Sequence, residues 1–184
     1  MSNQRMCHIC AKRPAISREH LPPQSADNRG NLEVCFIDGY LDHGIQHQYT
    51  QFDNGFWLYS LCSKCNNHTG ARYGTAYADF ISQLSASLRL EDVQGRSLVN
   101  LRNIYPLRVL KQMFAMFLST MPQTETPMWQ DIRDFVRRRD STLPNDAPRL
   151  YLYHNTSIIG RIVPWCAISE LFTTRQPVAL SGIS

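Results

Sequence analysis

The sequence predicts an α+β fold: a cysteine-rich module with short strands, then a helical lobe with a C-terminal β-hairpin. Residues 1–75 are rich in Cys, His, Asn and Gly and contain two aromatic, β-branched runs. From residue 75 onward, apolar residues recur every three or four positions, as they do on one face of a helix. Residues 150–163 return to strand-like runs around a turn. We therefore predict two domains, 1–75 and 76–184.

Within this frame, two strands and three helices can be placed. The strands are predicted at 32–37 (LEVCFI) and 56–61 (FWLYSL), with a polar loop or hairpin excursion between them. The helices are predicted to begin near Thr75, Pro106 and Thr126. Their apolar positions are Tyr77, Phe80, Ile81, Leu84 and Leu88 in the first, Leu107, Leu110, Met113, Phe114, Phe117 and Met121 in the second, and Met128, Trp129, Ile132, Phe135 and Val136 in the third.

Charge and hydropathy limit the classes of partner. The 184 residues carry a net charge of +4 from 19 basic and 15 acidic residues, and only Lys12, Lys64 and Lys111 are Lys. The planar Arg fork pairs well with phosphate oxygens, although a GC-rich coding sequence explains the Arg excess equally well. No apolar run approaches the roughly 20 residues that span a bilayer, and the N-terminus lacks an apolar signal-peptide core. We therefore expect a cytoplasmic protein without membrane association.

Four of the six cysteines form two C-x2-C pairs, Cys7/Cys10 and Cys62/Cys65. Two such pairs are the typical ligand set of one tetrahedral Zn²⁺, and a reducing compartment favours thiolate–metal bonds over disulfides. Residues 11–61 separate the pairs, whereas a plain zinc ribbon has roughly 15–20 residues there. We predict a structural zinc with an elaborated insert, and expect Cys35 and Cys166 to be buried apolar residues.

Two polar motifs accompany the cysteines. The string SREHLPP (17–23) follows the first pair, and Asn66 directly follows the last cysteine. The order of a cysteine pair, an acid–His pair, a second cysteine pair and an Asn resembles the HNH, or His-Me finger (ββα-metal), endonuclease superfamily. It is most similar to the zinc-bearing subgroup typified by a phage recombination endonuclease. The resemblance covers roughly the first 75 residues, and Trp57 stands where the commonest HNH motif has its middle Asn.

The resemblance implies a ββα-metal module that hydrolyses DNA phosphodiester bonds and leaves a 5′-phosphate, with a bacterial or phage origin. It implies His20 as general base, Glu19 and Asn66 as ligands of a catalytic Mg²⁺ or Mn²⁺, and a purely structural zinc. These residue types suit the chemistry, because a neutral His can take a proton near pH 7 and hard cations prefer oxygen ligands. Adjacent strand residues face opposite sides, so both Glu19 and His20 reach one phosphate only if the backbone is twisted or bulged, or if one acts from the loop side.

Several alternatives stay open. Arg18, Lys64, His68 and Arg72 are candidate phosphate contacts or plain solvated surface charges. The chain as a whole could be a non-catalytic, zinc-stabilised nucleic-acid or protein-binding module, and the same site could cleave RNA. The second apolar helix could pack against a second copy of the chain. His43 and His47 are expected in an exposed loop, and Arg137 to Arg139 at a helix end.

Overall fold

A computed structural model of the chain is of mixed α+β architecture, with small sheets and several helices. It describes residues 5–35, 49–89, 99–121 and 126–150. The chain forms two compact units, residues 1–119 and 120–184. The domain boundary that we predict at residue 75 stays a prediction. The expected C-terminal β-hairpin, the His43/His47 loop and Cys166 lie outside the described residues, as does the side chain of Cys35.

Two antiparallel strand pairs lie in the described part of the first unit. The strands are β1 (Ser17–His20), β2 (Leu32–Cys35), β3 (Tyr49–Phe52) and β4 (Trp57–Leu61). Strand β1 pairs with β4, and β2 pairs with β3. The strands predicted near 32–37 and 56–61 are confirmed as β2 and β4. The polar segment between them returns as β3, which confirms the hairpin excursion where the structure describes it.

A nearly continuous helical stretch follows β4. It consists of α1 (Ser63–Thr69), a π-helical turn (Gly70–Gly74) and α2 (Thr75–Arg89). Cys62 is extended and precedes the first turn. In that turn the backbone N–H of Asn66 donates to the Cys62 carbonyl at 3.0 Å. The predicted helix start at Thr75 is confirmed for α2, but helical backbone begins already at Ser63. Apolar periodicity misses this part because residues 63–69 contain only one apolar side chain, that of Cys65.

Helix α3 (Pro106–Thr120) begins at Pro106 as predicted. Its buried face differs in part from the predicted stripe, because Leu107 is 42% exposed while the polar residues Lys111, Gln112 and Ser119 are buried. Burial therefore extends around much of the helix rather than along one apolar seam. No helix among the described residues is long and apolar enough to cross a membrane.

The described part of the second unit contains α4 (Pro127–Arg137). Of its five predicted inner positions, Trp129, Ile132, Phe135 and Val136 are buried and Met128 is half-buried, which confirms the periodicity. The helix ends within the Arg run, where Asp134 lies 3.3 Å from Arg137 and 3.9 Å from Arg138. These exposed ion pairs partly neutralise the basic helix end that the sequence indicates.

Candidate metal centre and the strands beside it

The first cysteine pair lies on a tight turn near the N-terminus. The Cys7 amide donates to the Arg13 carbonyl at 2.8 Å, and the Ala11 amide donates to the Cys7 carbonyl at 2.8 Å. Ala11 adopts a left-handed conformation with φ 51°, which lets the chain reverse directly after Cys10. The turn therefore presents both thiols from one short segment.

The second cysteine pair begins α1, and His8 connects it to the first. The His8 amide donates to the carbonyl of Ser60, two residues before Cys62, at 2.9 Å. The His8 ring donates from Nδ1 to the Leu118 carbonyl in α3 at 2.9 Å. The backbone of the first turn thus lies against the end of β4, and its histidine bonds to α3 instead of joining the cysteines.

The four cysteine sulfurs form a compact cluster. The Sγ atoms of Cys7, Cys10, Cys62 and Cys65 all lie within 4.8 Å of one another, and those of Cys10 and Cys62 are 3.9 Å apart. Four sulfurs at about 2.3 Å from a tetrahedral zinc are separated by roughly 3.8 Å, whereas a disulfide needs about 2.05 Å. All four are free thiols. This cysteine cluster could hold a zinc ion, as the sequence predicts.

The electrostatics of the cluster favour a cation. A hydrogen bond with Cys65 lowers the pKa of the Cys7 thiol well below its usual value. The same hydrogen bond, together with burial and the neighbouring thiolates, raises the pKa of Cys65. Four thiolates this close repel one another, so only a bound cation would allow all of them to ionise.

Asn66 joins the metal centre to β1. Its side-chain Nδ2 donates to Ser17 Oγ at 2.8 Å and to the Arg18 carbonyl at 2.7 Å. Both amide protons are therefore used on the strand that carries Glu19 and His20, and the amide oxygen is the atom that this side chain would offer to a cation. The structure thus brings Asn66 to the predicted acid–His strand.

Glu19 and His20 occupy different environments on β1. Glu19 pairs with Leu58 and is 4% exposed, while His20 pairs with Trp57 and is half-buried. Burial, with a smaller contribution from Cys7, raises the pKa of Glu19 to about 8. Burial and the nearby Arg18 lower the pKa of His20, which keeps the ring neutral. The register irregularity lies between Ser17 and Arg18, so the pleat leaves Glu19 and His20 on opposite faces.

The cationic side chains predicted to contact phosphate lie in two places. Arg18 stacks over the Trp57 ring at 4.4 Å and donates from Nε to the Tyr59 hydroxyl at 3.2 Å. The other three, Lys64, His68 and Arg72, lie on α1 and the π-helical turn, where burial and the charges of Arg72, Lys111 and Lys64 lower the pKa of His68.

Lys111, which sequence reasoning did not single out, places a buried positive charge near His68. It is 1% exposed on α3, and its ammonium lies 6.0 Å from the centre of the Tyr73 ring. The Tyr73 hydroxyl lies 3.5 Å from His68 Nε2. The sequence carried no signal for this placement, because Lys111 stands between apolar positions of a helical stripe.

Asn28 is the second residue that sequence reasoning missed. Its buried side chain donates to the carbonyls of Pro22 at 2.7 Å and Phe56 at 2.9 Å, and it accepts from the Phe56 amide at 2.8 Å. Pro22 follows the end of β1 and Phe56 precedes β4, so Asn28 fixes the two strands where His20 pairs with Trp57. A polar run such as SADNRGN gives no sign that one of its members is buried.

Comparison with known proteins gives no match to a protein-family model, a curated protein or a solved structure.

Proposed function

We propose that the chain is a metal-dependent endonuclease that hydrolyses phosphodiester bonds in DNA. Its structural element would be the cysteine cluster holding zinc, and its reactive element would be the region where β1 meets α1. The observation that carries the proposal is the contact of Asn66 with β1 through Ser17 and Arg18. That contact joins the residue after the last cysteine to the strand that bears the acid–His pair.

His20 is the proposed general base. Its ring is half-buried, and its lowered pKa favours the neutral form, which can accept a proton from water at neutral pH. The Asn66 amide oxygen and the Glu19 carboxylate are the proposed ligands of Mg²⁺ or Mn²⁺, which would stabilise the charge that develops on the phosphate. Lys64, His68 and Arg72 would hold the flanking phosphates.

A second candidate function, a non-catalytic nucleic-acid-binding module, is favoured by one observation. Glu19 is 4% exposed and lies on the face of β1 opposite to His20. A carboxylate buried in this way would have to move, or be reached from the inner face, before it could share a cation with Asn66. In the binding module the same cationic groups would hold nucleic acid without cleaving it.

A plasmid-nicking assay separates the two functions. The full-length protein would be incubated with supercoiled DNA in Mg²⁺, in Mn²⁺ or in EDTA, beside His20→Ala, Asn66→Ala and Asn67→Ala. If the chain is an endonuclease, nicking should require the divalent cation. The nicking rate should fall by about 10²–10⁴-fold in His20→Ala, because a general base contributes about that much. Asn66→Ala should also lose activity, whereas its exposed neighbour Asn67 provides the matched control.

Each variant must retain its zinc, measured by elemental analysis, so that loss of activity is not loss of fold. Wild-type protein that binds DNA with a clear salt dependence but never nicks it would replace the endonuclease with the binding module. Cleavage of an RNA of the same sequence in preference to DNA would overturn the choice of DNA.

A further inference from the structure

The outer face of the β1–β4 pair carries an unusual set of exposed side chains. Arg18 pairs with Tyr59 and His20 pairs with Trp57 in the antiparallel register. Residues two apart on a strand share a face, so these four side chains lie on the same side of the pair. Arg18 is exposed, Tyr59 is 47% exposed, and Trp57 and His20 are half-buried. We call Arg18, Trp57 and Tyr59 the stacking platform.

The rings of the platform stand edge-to-face. The centroids of Trp57 and Tyr59 are 5.2 Å apart at an interplanar angle of 72°, and those of Phe52 and Trp57 are 5.5 Å apart at 79°. Tyr59 is 47% exposed, so about half of this side chain remains accessible to a ligand. Arg18 adds a guanidinium plane that is already stacked on Trp57 at 4.4 Å.

Aromatic rings with an interleaved arginine are the surface on which nucleobases stack. Stacking requires a base whose π-face is accessible, and bases inside a duplex are covered by their neighbours. Arg18 also supplies positive charge for the phosphate of the same nucleotide. The charge and the ring chemistry of this face therefore suit an unpaired nucleotide better than a regular duplex.

We propose that the stacking platform binds unpaired nucleobases of a DNA strand and places the adjoining phosphate beside His20. This inference deepens the proposed function and rests on it for the position of the cut. Strand recognition itself does not depend on cleavage. The substrate class that follows is single-stranded DNA, or DNA with unpaired nucleotides at the site of attack.

The test is binding of a fluorescein-labelled 20-mer of single-stranded DNA to the full-length protein in EDTA, compared with the duplex of the same sequence. Fluorescence anisotropy gives the dissociation constant at several salt concentrations. Wild type should bind the single strand more tightly than the duplex. Tyr59→Ala should weaken single-strand binding by about 5–150-fold, because one base–aromatic stack contributes about that much. It should leave the salt dependence unchanged, since no charge is lost.

Two further variants separate stacking from a structural role. Tyr59→Phe keeps the ring and loses only the hydroxyl that accepts from Arg18 Nε, so it should retain most of the affinity. In wild type, a base stacked on the platform should quench the fluorescence of Trp57. Trp57→Phe should retain binding but lose this quenching. The matched control is Tyr105→Ala, which removes a 57% exposed tyrosine that also stacks with an arginine, Arg108, at 4.8 Å.

Three results would overturn the platform: equal affinity for single strand and duplex, equal weakening by Tyr59→Ala and Tyr105→Ala, or undiminished quenching in Trp57→Phe. Tighter binding of an RNA of the same sequence would overturn the choice of DNA. The outcome is separable from the nicking assay. Tyr59-dependent binding without nicking would support the platform and contradict the endonuclease. Divalent-dependent nicking by a protein whose single-strand affinity is unchanged in Tyr59→Ala would support the endonuclease and contradict the platform.

Discussion

Tyr77 has a hydroxyl whose protonation should influence the stability of the fold. The residue is 3% exposed on α2, and burial raises the pKa of its phenol to about 12 because the phenolate would lose its hydration. The unfolded chain ionises this group near its ordinary pKa of about 10. Between these two values the unfolded state releases a proton that the folded state keeps. The stability that the buried, protonated Tyr77 contributes is therefore fully present below about pH 10, and it declines as the pH rises toward 12.

We predict that Tyr77→Phe removes this part of the alkaline destabilisation. Urea unfolding at pH 8, 9, 10 and 11 should show that wild type loses more free energy of unfolding than the variant, by about 1.4 kcal/mol at pH 11. Tyr105→Phe, at a 57% exposed tyrosine, should follow wild type. Parallel curves for wild type and Tyr77→Phe would contradict the prediction.

Among single residues of the candidate site, the sequence could predict which types of chemistry are present but not which way each side chain faces. The C-x2-C spacing predicts the cysteine cluster because four thiols in two short turns have few other uses. Strand alternation predicts that Glu19 and His20 face opposite sides of β1. The four residues of β1 are too few for their hydropathy to show that Glu19 is the one on the buried side. The burial of Asn28 could not be predicted from the sequence, because it depends on Pro22 and Phe56, which are distant in sequence from each other.

Among the elements, the turn between β3 and β4 determines where β4 begins. Asn54 and Gly55 both have positive φ, at 61° and 92°. A Cβ on Gly55 would lie 2.2 Å from the Asn28 carbonyl oxygen, and the Gly55 amide donates to the Gly30 carbonyl at 2.7 Å. Only glycine fits both the backbone conformation and the space. The turn and Asn28 together set the register that places Trp57 opposite His20.

We predict that Gly55→Ala destabilises the protein by about 2–4 kcal/mol, because it combines a left-handed backbone with a clash against main chain. Gly30→Ala is the matched control, since nothing lies within 4 Å of a Cβ at that position. It should change the free energy of unfolding by no more than about 0.5 kcal/mol. Urea denaturation of both variants measures the difference, and equal stability would show that the turn does not constrain β4.

The helices and strands were more predictable where periodicity is long. Helices α2, α3 and α4 begin where the apolar spacing and the two prolines indicate. Helix α1 was missed because it is short and polar, and its position is set by the cysteine pair rather than by an apolar face. The buried face of α3 was predicted in part, because Lys111 and Gln112 are covered by tertiary packing that overrides their polarity.

At the scale of the whole molecule, the cysteine cluster closes a long loop. Residues 11–61 separate its two pairs, and the loop contains the β2–β3 hairpin as well as the strands that form the candidate site. Closing a loop of this length costs conformational entropy that local contacts of two short strand pairs do not offset. His8 extends the same connection to α3 through its bond to Leu118. We therefore expect the metal to be part of the folding free energy of the first unit.

We predict that purified protein contains one zinc per chain, and that removing it abolishes cooperative unfolding of the unit formed by residues 1–119. Structural zinc contributes about 10–16 kcal/mol in small zinc domains, which equals or exceeds the total stability of an ordinary domain. Elemental analysis gives the stoichiometry. Thermal unfolding followed by circular dichroism, before and after a strong zinc chelator, should show loss of the transition and its return when Zn²⁺ is added back.

Thiol labelling ties this effect to the four cysteines. At least four more thiols should react after chelation than before, because the cluster contains four sulfurs and unfolding would also expose Cys35, which the sequence predicts to be buried. Cys62→Ser should lose the zinc and the transition, whereas Cys166→Ser should keep both, since four ligands already fill a tetrahedral site. A chelated protein that melts at the temperature of the untreated one would mean that strand and helix packing alone close the loop. The cysteines would then be neighbours that the fold brings together without using them.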